Sequence, residues 1–73
     1  MSKSVQKELK VIKAIVWART EAGLSQGQLS LRISKSRTFV QKIESGRPVR
    51  VTELTAIAAA TGVDPLELYR RTL

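Results

Sequence analysis

Three glycines divide this chain and restrict what it can fold into. Gly23, Gly46 and Gly62 each close a stretch whose apolar residues recur at helical spacing. At such helix ends the backbone turns left-handed, a conformation glycine adopts without a Cβ clash. The helix starts are also marked. Ser25-Gln26-Gly27-Gln28 reads as a capping box, in which the Ser25 hydroxyl takes an orphan N–H while Gln28 reaches back. Asp64-Pro65-Leu66-Glu67 puts an acceptor at the cap, proline at the first helical position and a glutamate to complete a second box. No strand alternation or hairpin dipeptide competes. The pattern predicts an all-α fold of five helices, at about 4–22, 26–33, 37–45, 52–61 and 65–71.

Seventy-three residues, with no repeat, linker or low-complexity segment, make one domain spanning 1–73. A chain this short buries a thin core, and small domains add disulfides, a metal or a second subunit. This one has no cysteine and no histidine. Disulfides and the usual zinc, haem and iron–sulfur ligand sets are therefore closed to it, and no metal or other cofactor is expected. Association with a second copy gains weight. A thiol nucleophile and an imidazole base are missing as well, and most of the six carboxylates have work at helix ends. An enzyme is not expected. No apolar run approaches a bilayer span, and the first four residues lack the apolar stretch of a signal peptide. The expected location is the cytoplasm, with no membrane contact.

The apolar residues indicate which faces meet. On helix 1, Val11, Ile15, Ala18 and Ala22 line one side, and Val5, Leu9, Ile12 and Val16 form a second stripe. Together they are wider than one core contact requires, so this helix is expected to touch two things. Lys3, Lys7 and Lys10 lie opposite the second stripe as a solvated face, and Trp17 falls on the polar side as an exposed aromatic. Leu29 and Ile33 carry helix 2; Leu54, Ile57, Ala58 and Thr61 carry helix 4. Helix 5 offers Leu66, Tyr69 and Leu73 on one side, while Leu68 can turn inward to helices 1 and 4. A short helix with apolar residues on two sides needs two burial partners, which makes Leu66, Tyr69 and Leu73 the expected homodimer interface. Arg70 and Arg71 are expected to complement the dipole at the end of that helix.

Charge is high and uneven. Thirteen Lys and Arg against six Asp and Glu give +7. Residues 32–50 hold Arg32, Lys35, Arg37, Lys42, Arg47 and Arg50 against one acid, Glu44, whereas residues 51–73 are nearly neutral. One surface facing a polyanion would explain this, and so would a solvated basic face that keeps the protein dissolved. Charge alone does not choose between them.

Helices 2 and 3 are separated only by Ser34, Lys35 and Ser36. Two short helices joined by about three residues make a helix-turn-helix, whose second helix fits the DNA major groove. On a helical wheel, Phe39, Val40 and Ile43 fall together on one side of helix 3. Arg37, Thr38, Gln41, Lys42 and Ser45 fall on the other, with no acid among them. Arginine matches guanine O6 and N7, glutamine matches adenine N6 and N7, and the threonine methyl can meet that of thymine. The expected partner is double-stranded DNA.

From Arg19 to Leu68 the chain resembles the phage repressor and Cro family of helix-turn-helix domains, the XRE family. The resemblance rests on Arg19-Thr-Glu-Ala-Gly-Leu-Ser-Gln26, Leu29-Ser30, and Ser36-Arg-Thr-Phe-Val-Gln-Lys-Ile-Glu-Ser-Gly46. Glu53-Leu54, Ile57-Ala58 and Gly62-Val-Asp-Pro-Leu-Glu-Leu68 continue it. It implies a lambda-repressor-like five-helix bundle with its helix-turn-helix at about 25–46 and helix 3 as the reading helix. By position it implies that Arg37, Thr38, Gln41 and Lys42 contact bases. Gln26, Ser36, Ser45, Arg47 and Arg50 would contact phosphates, Gln26 also supporting the reading helix. Arg19 and Glu44 would form a structural salt bridge, and Phe39 would pack in the core with an exposed edge. Two positions depart from the family pattern: Ser34 stands where the turn usually has glycine, and Lys35 where an apolar residue usually follows. The turn is expected to be slightly altered, with Lys35 turned to solvent or phosphate. The role implied is a bacterial or phage transcriptional regulator, a repressor acting as a homodimer on a partly palindromic operator. A DNA-binding antitoxin, a restriction–modification controller and a protein-interaction module with a degenerate helix-turn-helix are the alternatives.

Overall fold

A computed structural model describes the backbone of residues 3–73 and the side chains of residues 9–73. It contains α1 (Lys3–Glu21), α2 (Gln26–Arg32), α3 (Phe39–Glu44), α4 (Val51–Thr61) and α5 (Pro65–Thr72), with no strand among the described residues. The box at the start of α2 forms as expected. Ser25 Oγ accepts the Gln28 N–H at 3.1 Å, and Gln28 Oε1 accepts the Ser25 N–H at 2.8 Å. At α5, Asp64 Oδ1 accepts the Leu66 N–H at 2.9 Å. Glu67 does not complete that second box. Its Oε1 lies 3.5 Å from Arg71 Nε, one turn further on, where it meets an opposite charge. The residue before α4, Arg50, has no side-chain acceptor, so Glu53 reaches back and accepts its N–H at 2.9 Å.

Helix C-termini explain how the chain turns. At Gly46 (φ 116°) the Gly46 N–H bonds the Ile43 carbonyl at 2.9 Å and the Arg47 N–H bonds that of Lys42 at 3.0 Å. Ser34 adopts the same kind of reversal after α2 with φ 60°. Its N–H bonds the Leu31 carbonyl at 3.0 Å, and the Lys35 N–H bonds that of Ser30 at 2.9 Å. The turn closes with the same bonding pattern as the reversal at Gly46, and a serine carries the left-handed strain.

Helix α3 is shorter than expected, starting at Phe39 and not at residue 37. Arg37 and Thr38 lie in a tight turn closed by the Phe39 N–H on the Ser36 carbonyl at 3.0 Å. Thr38, at the cap position, makes no side-chain capping bond. The start of α3 is secured from another helix: Ser30 Oγ on α2 accepts the Val40 N–H at 2.9 Å.

The core is one buried cluster. Ala14, Ile15 and Ala18 of α1 meet Leu29 of α2, Phe39, Val40 and Ile43 of α3, Leu54, Ile57 and Ala58 of α4 and Leu68 of α5. Helix α1 packs on α3, α4 and α5, and α2 packs on α3 and α4. Ala22, expected inside, is exposed because α1 ends at Glu21 and the chain turns away. Ala14 takes the core place instead. Of the second stripe, Leu9 is exposed while Ile12 and Val16 are half-buried outside the cluster. The side chains of Val5, Lys3 and Lys7 lie outside the described residues.

Trp17 is not a free surface aromatic. It packs against the core cluster, and the Arg71 guanidinium lies 3.5 Å from its ring centroid. A wheel shows which side of α1 is apolar, but not that α5 crosses its polar shoulder. Arg71 therefore covers the indole as well as meeting Glu67, and Lys10 Nζ donates to the Leu73 carbonyl at 2.6 Å. Among the described residues no helix is long and apolar enough to cross a membrane, and no group of potential metal ligands occurs.

Candidate nucleic-acid interface

The turn between α2 and α3 is held by two polar joints. The first is centred on Glu44, whose side chain is 9% exposed against 17% for Arg19. Arg19 Nε donates to Glu44 Oε2 at 2.8 Å and Nη2 donates to Oε1 at 3.2 Å, while Nη1 donates to the Leu24 carbonyl at 3.2 Å. Gln26 Nε2 donates to the same Oε1 at 2.8 Å. One carboxylate thus ties the end of α1, the start of α2 and the end of α3. Two-pronged guanidinium–carboxylate bonding fixes angle as well as distance, so α3 is set against α1 in one orientation.

The second joint is Ser30, with 0% exposure. Its hydroxyl donates to the Gln26 carbonyl at 2.8 Å and accepts the Val40 N–H. A helix start leaves N–H groups without intrahelical partners, and a buried one is costly when unpaired. Ser30 answers one of these from the neighbouring helix. Sequence reasoning passed over it. The available signal was a hydroxyl residue next to Leu29 on the buried side of α2, since a buried polar group implies a buried partner.

Around these joints Arg37, Thr38, Gln41 and Lys42 are all exposed, Arg37 and Thr38 in the turn and Gln41 and Lys42 on α3. Ser36 is exposed beside them, and Ser45 Oγ donates to the Gln41 carbonyl at 2.9 Å. Lys35 and Arg47 are brought together by Phe39. Lys35 Nζ lies 5.2 Å and the Arg47 guanidinium 5.0 Å from its ring centroid, within cation–π range. Arg47 Nη1 also lies 3.7 Å from Glu53 Oε1 and 3.2 Å from the Pro48 carbonyl. Arg50 is exposed at the start of α4. On α5, Leu66 and Leu73 are exposed, while Tyr69 is half-buried with its hydroxyl 3.5 Å from the Val51 carbonyl.

Charge sorts itself in one direction. Glu44, the acid within residues 32–50, is turned inward onto Arg19 and Gln26. Glu53, next along the chain, is buried and caps α4. Apart from Pro48, the exposed side chains of the turn, α3 and the following loop are cations, amides and hydroxyls, an arrangement suited to phosphates and base edges.

Comparison with curated proteins returns no match. A family model described as helix-turn-helix matches residues 15–68, well over half of the chain. The match spans both joints, the turn and the exposed face of α3. The chain belongs to the repressor and Cro-type (XRE) helix-turn-helix family and is a DNA-binding regulator.

Proposed function

We propose that this chain is a sequence-specific transcriptional repressor that binds a partly palindromic operator as a homodimer, in the cytoplasm of a bacterium or phage host. The observation that carries the reading is the inward turn of Glu44 and Glu53, which leaves a cationic and amide face around α3. Arg37, Thr38, Gln41 and Lys42 read base edges. Gln26, Lys35, Ser36, Ser45, Arg47 and Arg50 bind phosphates, which set affinity and register and not sequence choice. Gln26 spends one amide N–H on Glu44 and keeps the other for a phosphate.

The homodimer reading is supported by Leu66, 70% exposed, and Leu73, 75% exposed, on α5 beside Tyr69. A two-fold axis there places the reading helices about 34 Å apart, on half-sites about ten base pairs apart. Selecting duplexes from a random pool and sedimenting the protein at micromolar concentration tests both parts. The expected results are a symmetric consensus and a dimer that Leu66→Asp dissociates. A monomer that binds one half-site as tightly as two contradicts the homodimer, and no enriched sequence contradicts specific recognition.

A DNA-binding antitoxin is the second reading, favoured by the open strip of Leu9, Ile12 and Val16 on α1. It predicts that a small toxic protein co-purifies, and that charged substitutions on that strip release it.

A further inference from the structure

Gly27 breaks a local rule. It sits in the first turn of α2, where glycine is less favourable than alanine. Its φ is not positive, so the backbone there suits any residue. A strong capping box has been built around a weak helix former. Natural chains keep such conflicts where something other than helix stability is served.

What it serves is space. A Cβ added at Gly27 would lie 3.2 Å from Arg37 Cγ, 3.9 Å from its Cδ and 3.8 Å from its carbonyl oxygen. The stem of Arg37 therefore lies across the first turn of α2, in the gap that a side chain would fill. Arg37 is outside α3, in the turn that precedes it, so the helix does not set its direction. Its floor comes from α2.

We infer that Gly27 is a positioning residue for DNA reading: its missing side chain lets Arg37 lie across α2 and so aims the guanidinium at the bases. The inference rests on the proposed base-reading role of Arg37 and adds the element that sets its direction. Long arginine side chains lose specificity when their stems are free to swing, because bidentate pairing with guanine tolerates little misalignment. An alanine at 27 presses on the stem by a few tenths of an ångström, and a leucine displaces it.

The test pairs stability with discrimination. Gly27→Ala, Gly27→Leu, Arg37→Ala and the double variant Gly27→Leu/Arg37→Ala are melted, then titrated onto a duplex selected by the wild-type chain and onto a scrambled one. Gly27→Ala should melt within a few degrees of wild type, because better helix propensity and pressure on the Arg37 stem oppose each other. Gly27→Leu should weaken the selected duplex by about fivefold or more, the lower end for loss of one base contact. It should leave the scrambled duplex unchanged, and should add nothing in the Arg37→Ala background. A Gly27→Leu that binds the selected duplex like wild type, while Arg37→Ala loses discrimination, overturns the inference alone. The same loss with and without Arg37 also overturns it, because Gly27 would then act directly on the DNA backbone. If Arg37→Ala itself does not lower discrimination, the base-reading role fails and the inference fails with it.

Discussion

Removing the Ser30 hydroxyl should loosen α3 by an amount that can be worked out from its bonds. Ser30→Ala deletes one buried oxygen, so the cavity is small; the effect is the Val40 N–H left without a partner inside the core. Leaving a buried donor unpaired costs about 1–3 kcal/mol. Alanine recovers about 0.5 kcal/mol through its better helix propensity. The net loss is about 0.5–2.5 kcal/mol, and at about 4–8 °C per kcal/mol for a domain of this size the melting temperature falls by about 2–20 °C. Ser45→Ala is the control, because it removes a similar hydroxyl-to-carbonyl bond at an exposed site where no N–H depends on it. It should change stability by less than about 0.5 kcal/mol. Thermal melts give the totals, and hydrogen exchange gives the location: the Val40 amide should exchange faster in Ser30→Ala, out of proportion to the core of α4. Equal melting temperatures for the two variants, with Val40 still protected, would refute the claim that α3 is capped from α2.

Other perturbations test separate joints. Arg19→Met and Glu44→Gln should each destabilise by about 2–3 kcal/mol, at or below the lower end for a buried pair because both groups keep some exposure. Their double variant should fall short of the sum, and additive losses would show that the pair does not couple. Ser34→Gly relieves a left-handed serine and should raise the melting temperature by a few degrees; an unchanged or lower value would show that the turn is unstrained. Arg71→Ala uncovers Trp17, so the emission of this single tryptophan should move to longer wavelength, with at most about 1 kcal/mol lost at this surface site. An unmoved spectrum would show that the guanidinium does not cover the indole.

Helix ends were legible in the sequence because they are local. Ser25 with Gln28, Asp64 with Pro65, and the glycines state their geometry within four residues of chain, and the helices follow from them. What crosses between helices was not legible. Glu53 capping α4 has the familiar three-residue spacing, but the residue at the cap is arginine, which hides the pattern. Ser30 and Gly27 act on residues ten positions further along, and Arg71 reaches Trp17 from the far end of the chain. Periodicity assigns a face to each residue but does not say which neighbour that face meets. The length of α3 was misjudged for the same reason: its start is fixed by a hydroxyl on α2 and not by a residue of its own.

The central claim is that the face of α3 chooses a DNA sequence while the cations around it hold the backbone. Fluorescence anisotropy on the selected and scrambled duplexes, for wild type, Gln41→Ala and Arg50→Ala over a range of salt, tests it most directly. Wild-type affinity for both duplexes should fall linearly with the logarithm of salt concentration. Gln41→Ala should lose about 1–3 kcal/mol on the selected duplex alone and keep the wild-type salt slope. Arg50→Ala should weaken both duplexes about equally and reduce the slope by about one. Binding that does not depend on salt, or a Gln41→Ala variant that weakens the two duplexes alike, would contradict the account.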